Sequence, residues 1–218
     1  MLNVLYEDNH IIAINKEAGE ITQGDKTGDE PLSEKVKRFI KNRDQKPGNV
    51  FLGTVHRLDR PVSGAIIFAK TSKALQRLNK MFQNKEIQKT YWAKCINAPT
   101  TEHQKLVHFL VKDSSKNKTS AYIKAVTGGK KSELIYTHLK DNKIQNLIEV
   151  NPLTGRPHQI RVQLSSIGCV IVGDIKYGAP SANKDKSICL HAKNIEFTHP
   201  VSKEKIAIHA PIPHQNWK

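Results

Sequence analysis

Short apolar runs alternate with charged or glycine- and proline-bearing stretches along the chain, and their periods predict the elements. "NVLYED" and "HIIAIN" read as two strands of a hairpin turning at Asp8 and Asn9. In "PLSEKVKRFIKNR" the spacing of Leu32, Val36, Phe39 and Ile40 predicts one helical face, with Lys35, Lys37, Arg38 and Lys41 largely off it. "GAIIFAK" is a short buried strand. Ser72 then caps a helix with an apolar stripe of Leu75, Leu78, Met81 and Phe82. "KTYWAKCIN" alternates, placing Tyr91, Ala93 and Cys95 on one face and Trp92, Lys94 and Ile96 on the other. "NLIEVNPL" predicts another strand. "TGRPHQIRVQLSSIG" predicts a helix with Thr154 as N-cap, Pro157 in its first turn and Gly168 at its end. "SICLHAKNIEFTH" is a late strand pair or one long strand. The polar stretches "GDKTGDEP", "KDSSKNKTS" and "APSANKDKS" predict exposed loops.

No loop divides two composition regimes, so the expectation is one domain over residues 1–218. Strands and helices mix without regular βαβ alternation, which predicts an α+β architecture. The formal net charge of +15 then narrows the partners: it favours an anion, nucleic acid before an acidic membrane surface. Cys95, Cys169 and Cys189 have no CxxC spacing and sit among apolar neighbours. They are expected to be buried free thiols in a reducing compartment. The N-terminus lacks the pattern of a signal peptide, and no apolar stretch approaches a membrane span, so a cytoplasmic protein is expected. The sequence contains no GxxxxGK[ST], GxGxxG, HExxH or GxSxG.

Three places carry candidate chemistry. In "TVHRLDRPVSGAIIFAKTS", Asp59 lies between Arg57 and Arg60 at the mouth of a strand. Flanking cations favour the carboxylate, which suits a nucleophile, a base or a metal ligand, and equally a structural ion pair at a turn. In "TGRPHQIRVQL", Ile160, Leu164 and Ile167 form the expected core stripe. Arg161 flanks it and shares a side with His158, and Arg156 lies near the helix N-terminus. A basic surface helix is the plainer alternative. Tyr91 is either a core residue with its hydroxyl satisfied or a group facing substrate.

These three constellations, "HRLDRPVSGAIIFAK", "KTYWAKC" and "LTGRPHQIRVQLSSIGCVIVGDIKYG", closely resemble the motifs of RluA-type RNA pseudouridine synthases, in the family's order. The opening "LYEDNHIIAINKEAG" and closing "LHAKNIEFTHPVSKE" resemble its flanking segments, so the likeness spans nearly the whole chain. The resemblance implies the pseudouridine synthase fold, a mixed, mostly antiparallel sheet with flanking helices and a central basic active-site cleft. It implies isomerisation of uridine to pseudouridine in rRNA or tRNA, without metal, nucleotide or redox cofactor. Asp59 matches the catalytic aspartate, Tyr91 the active-site tyrosine and candidate for taking the C5 proton, and Arg161 the arginine that pairs with the aspartate. Arg57 matches the residue that enters the RNA stack where the base leaves. Arg60, Arg156, His158 and Lys176 are expected to contact RNA. Val62 and Glu17 depart from the family's common Thr and Pro. Many relatives add an S4-like domain before the opening motif, which here begins almost at Met1; a stand-alone monomeric catalytic domain is expected. The competing reading is a non-catalytic RNA-binding or assembly module, which has no need of Asp59.

Overall fold

The computed structural model describes residues 2–25, 27–141, 143–213 and 215–217. In chain order the elements are β1 (Val4–Glu7), β2 (Ile11–Lys16), α1 (Leu32–Arg43), β3 (Gly53–Thr54), β4 (Ser63–Ala69), α2 (Ser72–Gln83), β5 (Gln88–Lys94), β6 (His103–Asp113), β7 (Lys118–Tyr122), β8 (Lys130–Leu139), β9 (Leu147–Pro152), α3 (Gln159–Ser166), a 3-10 turn (Ile175–Tyr177), β10 (Leu190–Thr198) and β11 (Lys205–His209). They pack as two compact units, one of residues 1–88 and 192–212, the other of residues 89–191 and 213–218. This mixture of strands with three α-helices is the expected α+β class.

In the first unit the strand order is β1-β2-β4-β10, with β11 on β10 and β3 on β4. The predicted hairpin forms: β1 and β2 pair antiparallel, and Asp8 closes the turn by accepting from the N–H groups of His10 and Ile11. Every residue of β4 is buried, as its unbroken apolar run requires. Ala65, Ile67 and Ala69 of that strand share a core with Ile11 and Ala13 of β2, Ala74 and Leu78 of α2, and Ile195 and Phe197 of β10. The α2 N-cap is Thr71, one residue before the expected Ser72, because the Thr71 hydroxyl reaches the Ala74 N–H at 3.1 Å. In α1, Leu32, Val36 and Ile40 are buried, whereas Phe39 is half-exposed beneath the Arg43 guanidinium, 5.1 Å above its ring. This helix has no side-chain cap. Its first N–H groups are taken up by the main chain before it, Leu32 donating to Ile21 and Ser33 to Thr22.

That tether bears on the loop ahead of β4, residues 55–62, which carries Asp59. The Thr22 hydroxyl accepts from the Leu58 N–H and donates to the Leu58 carbonyl, both at 3.3 Å. His56 accepts the Ile67 N–H through Nε2 at 3.0 Å, and Val62 closes a turn onto the Asp59 carbonyl at 3.0 Å. The Arg60 carbonyl accepts from the N–H of Gly19, whose φ of +93° suits glycine, and from the ammonium of Lys16. Lys16 is wholly buried. Its three N–H bonds go to the carbonyls of Glu17 (2.8 Å), Glu20 (2.8 Å) and Arg60 (3.3 Å). Burial pulls its pKa from the usual 10.5 down to about 8, against the upward pull of Glu20 and Asp59. Beyond the loop, Gly64 has φ +117°, and a Cβ there would lie 2.4 Å from the Ala192 carbonyl oxygen, so β4 and β10 approach through a glycine.

In the second unit the order is β5-β9-β8-β6-β7, and each of its neighbouring pairs is antiparallel. The alternation expected in β5 holds: Tyr91, Ala93 and Cys95 are buried. All three cysteines are free and buried. The pattern reading assigns no strand to residues 98–145, yet β6, β7 and β8 lie there. Lys112–Ser120, expected as a loop, is the tip of the β6–β7 hairpin, turned by Asp113, which accepts from the Ser115 and Lys116 N–H groups. "SICLHAKNIEFTH" resolves into one strand, β10.

The largest departure is α3, which begins at Gln159, five residues after Thr154. Pro157 disfavours helical backbone at Arg156, and the buried Gln159 side chain organises the preceding loop. It accepts from the Thr154 hydroxyl (2.8 Å) and the Arg156 N–H (3.0 Å) and donates to the Glu133 carbonyl (3.0 Å). The N-cap is His158, in the left-handed region at φ +54°. Gly168, at φ +80°, follows the helix end as expected.

Three outcomes follow for the first unit. Replacing Lys16 by Met takes a donor from three carbonyls, of which that of Arg60 keeps the Gly19 N–H, at about 1–3 kcal/mol for each one left unsatisfied. Faster hydrogen exchange at Leu58 and Val62 is the expected signature. Between pH 8 and 10.5 the unfolded chain holds the Lys16 proton more often than the folded one, so wild-type stability rises with pH through that window. Denaturant titrations of Lys16→Met lack this rise. Glu7 gives the opposite case. Arg43 donates to its two oxygens at 2.6 and 2.8 Å and Lys70 at 2.6 Å, and Arg43 foremost holds its pKa down to about 2 against the effect of burial. Its folded pKa lies below the unfolded one, so its stabilisation is complete above about pH 4.5 and lost towards pH 2. The stability gap between wild type and Glu7→Gln, measured by urea melts, is expected to close across that interval.

Candidate active site

The loop just described presents its charged residues unequally. Leu58 is buried and anchors the segment, Arg57 is exposed, and Asp59 is half-buried. The Asp59 backbone is therefore fixed on both sides, by Leu58 to Thr22 and by Arg60 to Lys16 and Gly19. A carboxylate so mounted has the restricted geometry that catalysis needs. One positive neighbour is the buried ammonium of Lys16, whose charge Asp59 helps to sustain. Arg60 turns the other way. It bonds Asp29 at 2.6 Å and the Thr27 hydroxyl at 2.8 Å, in an exposed pair that contributes little to stability.

The second unit holds the other expected residues. Tyr91 lies on β5 with 8% of its surface exposed. Lys89 lies two positions earlier on the same side of the strand, and burial lowers its pKa. Arg161, one residue past the predicted stripe, is itself buried, at 5% exposure. Its guanidinium grips Asp174 side-on, Nε donating to Oδ2 at 2.7 Å and Nη2 to Oδ1 at 2.8 Å. The Tyr177 ring lies 5.0 Å from the guanidinium carbon. The Tyr177 hydroxyl accepts the Thr119 N–H at 2.9 Å and lies 2.8 Å from His158 Nδ1. Burial raises the Tyr177 pKa, while Thr119 and Arg161 oppose this. The structure thus joins His158 and Arg161 through Tyr177, and gives Arg161 a partner that spacing did not reveal. Arg156 is exposed, with its N–H on Gln159, and Lys176 donates to the Asn117 carbonyl at 3.0 Å. Asp174 and Tyr177 had one sequence signal: "GDIKYG" places a carboxylate and a phenol between glycines. Gly173 and Gly178 both take positive φ there, at +84° and +109°. Among the described residues, no group of three or more His, Cys, Asp or Glu side chains is placed to hold a metal ion.

Residues 10–166 match the sequence model of the RNA pseudouridylate synthase family. Ribosomal large subunit pseudouridine synthase C of Vibrio cholerae is 32% identical over 225 residues, covering 96% of this chain and 65% of that protein. The protein of the same name from Buchnera aphidicola (subsp. Baizongia pistaciae) is 34% identical over 96% of this chain and 66% of its own. The chain therefore spans slightly less than two thirds of these relatives' length. Among solved structures, Human RNA Pseudouridylate Synthase Domain Containing 4 superposes with a TM-score of 0.79 at 20% identity, over 97% of this chain and 89% of that one. Human RNA Pseudouridylate Synthase Domain Containing 1 gives 0.75 at 22%, over 98% and 84%. These two likenesses establish the fold, and the sequence match over most of the chain establishes the kinship: the protein belongs to the RNA pseudouridylate synthase family.

Proposed function

We propose that the chain converts uridine to pseudouridine in RNA, and in ribosomal RNA of the large subunit in particular, with Asp59 as the essential carboxylate. The observation that carries the reading is the mount of Asp59. A half-buried carboxylate is held on a loop that a buried lysine, a threonine and a histidine all fix in place, inside the segment that matches the family. The names of the relatives support the choice of RNA. A binding module gains nothing from such a mount, since a carboxylate repels phosphate.

In the reaction the N1–C1′ bond breaks, the uracil turns, and C5 bonds to C1′. The proton on C5 is lost and N1 gains one, so no electron acceptor or donor is consumed. Asp59 either attacks C1′, forming an ester that the returning C5 displaces, or removes the C2′ proton. Tyr91, held by its strand, receives the C5 proton, and Arg161 acts with the carboxylate. The target base must first leave the stack, which costs a few kcal/mol and least in loops. Arg57, exposed beside the rigid Leu58, stacks where the base was. Arg156, His158 and Lys176 contribute phosphate contacts. Arg60 joins them by exchanging its exposed pair with Asp29 for a phosphate.

The test is release of tritium from C5-labelled uridine in RNA taken from cells lacking this protein. Wild type is expected to release tritium and Asp59→Ala to fall more than about 1000-fold. RNA affinity should hold or tighten in the variant, because a negative charge has been removed. Release that survives Asp59→Ala means the carboxylate is wrongly assigned. Binding without any release from large-subunit, small-subunit or transfer RNA points to a non-catalytic module.

A further inference from the structure

Asp174 follows the matched residues 10–166, in the "GDIKYG" segment that resembles the family's, and no step above uses it. It is 1% exposed, and its carboxylate is committed to Arg161 through two parallel bonds. A buried ion pair of this kind is a poor source of stability, since apolar side chains of the same volume commonly do as well. Its geometry, however, is directional. Asp174 takes the Nε and Nη2 edge of the guanidinium, which fixes the plane of the group and the heading of Nη1. The Tyr177 ring, 5.0 Å away, limits tilting. That ring is pinned in turn, its hydroxyl by the Thr119 N–H and His158, and its carbonyl by the Ser165 hydroxyl at 2.7 Å. The turn bearing Asp174 starts from Gly173, where a Cβ would press on Asn183 and the Ser187 carbonyl at 2.6–2.7 Å. Aspartate and ring are therefore both locked before any substrate arrives.

We propose that Asp174 is the positioning residue for Arg161: it aims the Nη1 edge and balances the guanidinium charge, so that Arg161 supplies directed hydrogen bonds in pseudouridine formation and not a loose cation. This rests on the function proposed above for Arg161. A guanidinium free to rotate would offer its hydrogen bonds in no fixed direction. A clamped, charge-balanced guanidinium orients its acceptor while leaving it reactive.

Two measurements on the full chain test the proposal, one of them independent of activity. In 15N-labelled protein, the Arg161 Nε–H resonance, assigned by its loss in Arg161→Lys, is expected to be protected from solvent exchange and to lose that protection in Asp174→Asn. In single-turnover tritium release at saturating RNA, Asp174→Asn is expected to slow the reaction about 10- to 100-fold, with the RNA dissociation constant within about twofold of wild type. A purely structural role predicts a smaller active fraction with an unchanged rate per active molecule. That result, or exchange of the wild-type Arg161 Nε–H at the rate of a free arginine, overturns the proposal. Should Asp174→Asn fail to fold, Arg161→Lys decides: it keeps the charge beside Asp174 but lacks the Nη1 edge, and a wild-type rate refutes the aiming role. Absence of release by wild type on every RNA tested is failure of the proposed function, and the exchange measurement then decides the clamp by itself.

Discussion

The three hydrogen bonds of the Lys16 ammonium hold together the segment that carries Asp59. They join two stretches of main chain forty or more residues apart in sequence, residues 17–20 and the carbonyl of Arg60. An ammonium suits this place because it has three donors on one small centre. A buried amide, with two, would leave a carbonyl dry. The price is a charge taken out of water, and the lowered pKa of Lys16 records it. Glu20 and Asp59 reduce that cost by favouring the charged form. Mount and mounted group therefore support each other: Lys16 fixes the loop beneath Asp59, and the Asp59 charge helps to keep Lys16 protonated.

The second unit solves a related problem with a different cation. The planar fork of Arg161 can be oriented by a carboxylate in a way that a rotating ammonium cannot, and Asp174 bonds it along one edge. Rigidity comes from the surroundings in both units. The segment around Leu58 is tied through Thr22 to the start of α1, and Tyr177 is tied through Thr119 to the edge strand β7. In each case a buried polar group is satisfied by main-chain atoms, the arrangement with the fewest alternative geometries.

This division explains what could be read from the chain. Periodic burial was legible: the β1–β2 hairpin, the inward face of β5 and the apolar run of β4 all follow from alternation or its absence. Asp59 stood out as a candidate, an acid between two arginines at a strand mouth, though the pattern alone left a structural ion pair at a turn equally open. The start of α3 was obscured because Thr154 looks like a cap, while the group that organises the loop is the Gln159 side chain, acting backwards along the sequence. β6 was obscured because its inward row, Leu106, His108 and Leu110, includes a histidine that only burial beside Gln163 explains. The Arg161–Asp174 pair joins residues 13 apart across a loop, a distance at which no local period operates. Lys16 could not be distinguished from the surface lysines around it, since its burial is a consequence of tertiary packing alone.

The last point bears on the charge of +15. Total charge draws a polyanion to the protein at long range, and every exposed lysine contributes. It carries no information about where the reaction occurs. Lys16 in the first unit and Arg161 in the second are each buried and matched by nearby carboxylates, so they add almost nothing to that field. Arg57 is different: it is exposed, on the rigid loop that holds Asp59, so its charge contributes to that field. The long-range field is thus set by composition and the buried cations by packing, and Arg57, exposed on a loop that packing fixes, takes part in the first while being placed by the second.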